Sequence, residues 1–71
     1  MPEMDAMAKR LKSYRREQSK TQFEIGGEMG ISTEEISLIE RRKKDDIKLS
    51  TLQKMAAHMG ITVSELLKVE E

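Results

Sequence analysis

Residues 21–40, TQFEIGGEMGISTEEISLIE, carry the same helix-start signal twice. Each signal is a hydroxyl residue followed three positions on by an acid, just ahead of apolar residues at helical spacing: Thr21 with Glu24, then Ser32 with Glu35. In such a capping box the hydroxyl accepts from a first-turn amide that has no partner within the helix, while the carboxylate reaches back to the cap residue's own N–H. Ile31 and Ile36 bracket the second box as a hydrophobic staple. Between the two signals stands Gly30, a residue that tolerates the left-handed conformation a sharp helix end requires. The stretch therefore predicts helix, tight turn, helix. In the second helix Ile36 and Ile39 share one face, while Thr33, Glu34, Ser37, Leu38 and Arg41 point away from it. One face is core, and the other is free to meet something.

Outward from this stretch the same grammar continues. Met4, Met7, Leu11 and Tyr14 recur at spacings of three and four, which predicts a first helix over 5–18 with Asp5 as its N-cap. Leu49, Leu52, Met55, Ala56 and Met59 mark the apolar face of a fourth helix, and Ser50 with Gln53 offers it a third capping box. Gly60-Ile61-Thr62 with Glu65-Leu66 repeats the pattern of Gly30-Ile31-Ser32 with Glu35-Ile36 and opens a fifth helix over 63–69. The run RRKKDDIK at 41–48 separates two apolar patterns and reads as a charged loop. His58, between apolar positions, reads as a surface residue, and the six methionines as gap-fillers of a small core. Gly26 and Gly27 sit inside the second helix at a cost of about 1 kcal/mol each relative to alanine. Residues 68–71, ending in Glu70-Glu71, read as a frayed acidic tail. The chain is all-α.

Composition sets the limits. Seventy-one residues make one domain with a thin core, which needs good caps, short loops or a partner chain. There is no cysteine, no apolar run long enough to span a membrane and no signal-peptide pattern, so a soluble cytoplasmic protein is expected. One histidine and no clustered carboxylates leave nothing from which to build a catalytic or metal site, and neither enzyme activity nor a cofactor is expected. Net charge is zero, yet the charges are segregated. Within 9–20, Lys9, Arg10, Lys12, Arg15, Arg16 and Lys20 face Glu17 alone, and 41–48 is also basic. Between them, residues 21–40 hold Glu24, Glu28, Glu34, Glu35 and Glu40 with no Lys or Arg.

Thr21-Gln22, Ile25-Gly26, Met29-Gly30-Ile31-Ser32, Ile36-Ser37 and Ile39-Glu40-Arg41 together resemble the Cro/C1-type (XRE family) helix-turn-helix regulators. Arg10-Leu11-Lys12 with Tyr14-Arg15 resembles the family's first helix and 52–67 its last two, so the resemblance covers about 7–67. It implies a compact five-helix, lambda-repressor-like domain over 1–71, with helices 2 and 3 as the helix-turn-helix. It further implies a small transcriptional regulator of the repressor kind, a homodimer laying helix 3 in the major groove of double-stranded DNA. Carried over by position, Thr33, Glu34, Ser37 and Leu38 would face base edges, and Gln22, Arg41, Lys43 and Lys44 would hold phosphates. Arg15 and Glu40 would form a partly buried ion pair between helices 1 and 3. The chain departs from the pattern at Lys20, where an apolar staple residue is usual, at Phe23, usually polar, and at Arg42, usually glycine. Relatives would also start helix 4 nearer Lys48.

The base-edge chemistry is permissible, since Glu accepts from cytosine N4, Ser contacts several bases and Leu packs on a thymine methyl. Glu34 and Glu35, however, repel phosphates. A second reading therefore keeps the fold and changes the partner: a protein-binding module such as an anti-repressor, or an antitoxin held by its toxin, whose helix 3 face with Leu38 meets another protein. Val63, Leu66, Leu67 and Val69 look like more apolar surface than one helix end can bury, and are expected to supply a dimer contact.

Overall fold

Five helices follow one another in the computed structural model, which describes residues 1–70: α1 (Pro2–Glu17), α2 (Gln22–Met29), α3 (Thr33–Glu40), α4 (Leu49–Met59) and α5 (Val63–Leu67). α1 lies against α3 and α5, α2 against α3 and α4, and α4 against α5. Met7 and Leu11 from α1, Ile25 and Met29 from α2, Ile36 and Ile39 from α3, Leu52 and Met55 from α4 and Leu66 from α5 meet in one core. Ile31, in the turn before α3, closes it from the side. Met4, Tyr14 and Met59 pack around the edge.

The local chemistry explains most of the element starts. At Thr21 and Thr62 both halves of the capping box are made: each hydroxyl accepts from the N–H three residues on at 3.0 Å, and Glu24 or Glu65 accepts from the cap N–H at 2.9 Å. The backbone N–H and hydroxyl of the cap hold both carboxyls below their ordinary range. At Ser32 only the hydroxyl half forms, from the Glu35 N–H at 3.1 Å. One start and one cap differ from expectation. α1 begins at Pro2, not Asp5: proline at the first helical position has the right φ and no N–H to leave unpaired, and Asp5 donates its own N–H to the Met1 carbonyl at 3.0 Å. α4 begins at Leu49 with Lys48 as its N-cap, where the resemblance places the start, and it is the Ser50–Gln53 box that does not form: the Lys48 carbonyl already accepts from Thr51 and Leu52 at 3.0 and 3.1 Å. That start puts Thr51, Leu52, Met55 and Ala56 on the buried stripe. Leu49, at the first position of the helix, is nonetheless 61% exposed.

The ends of the first four helices share a device. Each finishes with one left-handed residue, at Ser19 (φ 55°), Gly30 (φ 74°), Arg42 (φ 58°) and Gly60 (φ 72°). The N–H of the next residue then reaches back five positions: Lys20 to Arg15, Ile31 to Gly26, Lys43 to Leu38 and Ile61 to Ala56, at 2.8–3.1 Å. This is the Schellman closure, which satisfies the last free carbonyls, and after α1, α2 and α4 the next helix begins within three or four residues. Only two of these ends are glycine, so Ser19 and Arg42 hold a conformation that costs an ordinary residue about 1 kcal/mol or more.

Two further expectations are corrected. α5 stops at Leu67, with Lys68 already extended, and its apolar residues serve the protein's own core: Leu66 is fully buried, and Val63 and Leu67 pack against it. Val69 is exposed and Val63 and Leu67 are half-buried, so the surplus surface on which a dimer contact through α5 was expected is smaller than the sequence suggests. The short tail is tied back to α1, where Arg10 donates to the Leu66 carbonyl (2.9 Å) and to Glu70 (3.1 Å); Glu71 lies outside the described residues. His58 is not a free surface residue but half-buried. Its ring stands edge-on to Tyr14 at 5.8 Å, and its Nε2 lies 3.2 Å from Glu28, which also accepts from Lys20 at 2.9 Å. The bond from Lys20 holds the Glu28 carboxyl below its ordinary range.

Candidate nucleic-acid interface

α2 and α3 meet at an angle set by a backbone contact. Gly26 is buried in α2, and a Cβ placed there would come within 2.6 Å of the Ile31 carbonyl oxygen. Hydrogen at this position lets the turn fold flat over α2, and the Ile31 N–H bonds to the Gly26 carbonyl at 2.8 Å. Gly27, one residue on, is exposed, and nothing lies within 4 Å of where its Cβ would be. The packing does not account for a glycine there.

Behind this corner sits an ion pair linking α1 to α3. Arg15 Nε and Nη2 donate to the two carboxylate oxygens of Glu40 at 2.8 Å each, a parallel fork, and Nη1 donates to the Lys20 carbonyl at 2.9 Å. The Glu40 side chain is 2% exposed and that of Arg15 14%. Gln22, the first residue of α2, donates its amide N–H to Glu40 at 3.2 Å. Burial pushes the Glu40 carboxyl up, but the hydrogen bonds from Arg15 and Gln22, with the charges of Arg15 and Lys12, hold it below the ordinary range. The bond to Glu40 raises the Arg15 guanidinium correspondingly. One carboxylate thus joins the ends of α1, α2 and α3 in a single charged state.

With Ile36, Ile39 and Glu40 turned inward, the other side of α3 is presented outward. At about 100° per residue, Thr33, Ser37, Arg41, Glu34 and Leu38 fall within an arc of roughly 140°. Thr33, Glu34 and Arg41 are exposed, and Ser37 and Leu38 half-buried. Arg41 folds back along this face and donates from Nε to the Ser37 hydroxyl at 3.1 Å, so a cation lies over the middle of the helix. The first turn of α3 is acidic, with Glu34 and Glu35 at the positive end of the helix dipole. Lys43 is exposed and Lys44 half-buried in the irregular connection to α4. Of the residues singled out in the sequence, α3 brings Thr33, Glu34, Ser37, Leu38 and Arg41 onto one face, and Lys43 and Lys44 follow its end. Gln22 is set apart, since one of its two amide N–H groups points at Glu40. Two contacts of the site had no sequence signal: the Gln22–Glu40 bond spans 18 residues, and Lys54, from α4, reaches the Gly30 carbonyl of the turn at 3.4 Å. Both are set by how α2 and α4 pack.

A buried, charge-clasped corner that holds one short helix with its polar face outward defines a helix-turn-helix protein. The Helix-turn-helix family profile matches residues 11–66, and the chain belongs to that family. Among solved structures it is similar to a hypothetical transcription factor, NHTF, from Neisseria, with 27% identity and a TM-score of 0.80 over 93% of this chain and 75% of that one. A comparison with curated proteins finds no match. Among the described residues no helix is long and apolar enough to cross a membrane.

Proposed function

We propose that this chain is a sequence-specific double-stranded DNA-binding regulator, a repressor in the cytoplasm, that acts as a single domain and docks as a homodimer on a two-fold symmetric site. In this reading α3 enters the major groove with Thr33, Glu34, Ser37 and Leu38 toward base edges, and Arg41, Lys43, Lys44 and the free N–H of Gln22 hold phosphates. The observation that carries the reading is the outward arc of α3. It is held from behind by the Arg15–Glu40 fork, while the exposed Thr33 and Glu34 form no side-chain hydrogen bond or ion pair among the described residues. A helix of eight residues covers few base pairs, which supports two copies reading two half-sites about one DNA turn apart.

Titration against a random-sequence duplex pool at several salt concentrations tests it. Neutralising Lys43 and Lys44 together should weaken binding to all sequences alike and flatten the log–log salt dependence by about two units. Glu34→Gln should strengthen non-specific binding, and Ser37→Ala or Leu38→Ala should change which sequences are selected with little effect on the slope. Absence of binding at low salt in both the parent and Glu34→Gln would remove the reading. One observation favours a protein partner instead: Phe23, the only phenylalanine, stands 75% exposed on α2 beside the acidic Glu24. An antitoxin or anti-repressor would lose its partner on Phe23→Ala or Leu38→Ala and be indifferent to the change at Lys43 and Lys44.

A further inference from the structure

Apart from Arg15, the cations of α1 have no part in the reading above, although residues 9–20 carry a larger net positive charge than 41–48. Lys9, Lys12 and Arg16 recur at intervals of three and four and so fall on one stripe of α1 about 10 Å long. With Ser13, Arg42 and Glu40 they line an open cleft of about 270 Å³ between α1 and the end of α3. Its one acid is already matched, because Glu40 is buried and both its oxygens accept from Arg15 at 2.8 Å. Arg42 reaches Asp5 at 3.6 Å, whereas Lys9, Lys12 and Arg16 form no ion pair among the described residues. Three cations of one sign stand on one rigid helix, none of them in an ion pair and only Lys12 within the field of the already paired Glu40, and such a stripe suits an external anion.

Position narrows the anion. The cleft opens beside the C-terminal end of α3, where Arg41, Lys43 and Lys44 also lie. One strand of duplex DNA presents a phosphate every 3.4 Å of axial rise, so a stripe of about 10 Å matches a short run of them rather than a single free phosphate. We propose that Lys9, Lys12 and Arg16 form a second phosphate-binding surface, for the backbone of the same duplex just beyond the base pairs that face α3. The inference rests on the DNA-binding reading. It also addresses a difficulty of that reading, since α2 and α3 carry five acids and no Lys or Arg, and attraction to DNA must come from other elements.

The test is the salt dependence of binding for the parent, the triple variant Lys9→Gln, Lys12→Gln, Arg16→Gln and the three single variants, with thermal melts to establish folding. Each duplex is made twice, once native and once with neutral methylphosphonate linkages flanking the α3 footprint. Each single change should flatten the log–log slope by about 0.9 and the triple change by up to about 2.7, without altering sequence preference. Over a fourfold rise in salt the parent should therefore lose about 40-fold more affinity than the triple variant. On the neutral-flank duplex the parent should show the same flattening, and the triple variant no more. A triple variant with the parent's slope overturns the surface while leaving the α3 reading intact, provided the Lys43 and Lys44 change still weakens binding. Equal flattening on native and neutral-flank duplexes overturns it too, since the charge would then act as a diffuse field and not by contact. The exposed single variants at Lys9 and Arg16 decide the matter if the triple variant does not fold. A parent that binds no DNA removes both readings together.

Discussion

Replacing Glu40 by alanine should be among the most damaging single changes to this fold. The carboxylate accepts three hydrogen bonds, two from Arg15 at 2.8 Å and one from Gln22 at 3.2 Å. After Glu40→Ala the guanidinium keeps only its bond to the Lys20 carbonyl at 2.9 Å, with its side chain 14% exposed. Removing one partner of a buried pair costs about 3–5 kcal/mol, chiefly because the surviving charge stays buried and unpaired. The residual exposure of Arg15 and its remaining bond place this site at the low end, about 3 kcal/mol. A chain of 71 residues has a net stability of about 4–11 kcal/mol, so the loss is a large fraction of the whole. Urea unfolding reads it as a lower midpoint at unchanged slope, and a thermal melt as a fall of roughly 12–24 °C. The joint change of Arg15 and Glu40 to methionine should restore most of the loss, because it leaves no charge behind. The pH dependence carries the same signature. Glu40 titrates lower in the folded chain than in the unfolded one, so its contribution is complete above the ordinary glutamate range and is lost as pH falls through the folded value. The parent should therefore weaken in acid more steeply than Glu40→Ala. A loss of only a few tenths of a kcal/mol at neutral pH, with parallel acid limbs, would refute the reasoning and reduce the pair to a solvated contact.

The two adjacent glycines of α2 should respond in opposite directions. Gly27→Ala, exposed and with open space around it, should stabilise by up to about 1 kcal/mol in urea, whereas Gly26→Ala, facing the Ile31 carbonyl at 2.6 Å, should destabilise by about 1–3 kcal/mol. Two stabilising changes would show that the turn does not lie flat on α2. At the helix ends, Arg42→Gly should raise stability by about 0.5–1 kcal/mol by relieving the left-handed φ of 58°, while Gly30→Val should cost more than about 1 kcal/mol for the converse reason. Unchanged melting of both variants would mean that those residues do not hold the closures described.

The helix-turn-helix is legible in the sequence because its determinants are local. A capping box and a left-handed glycine act within five residues of each other, and Thr21, Glu24, Gly30 and Ser32 each declare a backbone state by their chemistry. Where the same backbone state is held by a residue that does not favour it, as at Ser19 and Arg42, tertiary packing dictates the turn and the sequence stays silent. Proline 2 did carry a signal, which the stronger apolar period beginning at Met4 obscured. The apolar face of α4 is legible at Leu52, Met55, Ala56 and Met59, and Leu49 alone departs from it: the connection before α4 has no regular structure, and nothing local distinguishes Leu49, turned to solvent, from Leu52, turned to the core. For α5, a count of apolar residues does not tell whether they fill the chain's own core or await another.

The site divides along the same line. Glu40 could be placed from its position next to Ile39, since a carboxylate on the edge of a buried face demands a partner. That Gln22 joins the pair is a matter of how α2 meets α3, and so of Gly26 and the turn. The charge pattern follows from this geometry. α3 is anchored from behind by a carboxylate and carries acids in its first turn, so in the proposed DNA-binding reading its outward face would contribute discrimination and little attraction. The cations proposed to attract the polyanion stand on α1, which the Arg15–Glu40 fork ties to α3, and on the connection that follows α3. Under that proposal affinity and selectivity would be carried by separate residues on one rigid frame. Loosening the fork should damage both at once, whereas neutralising α1 should lower affinity and leave selectivity unchanged.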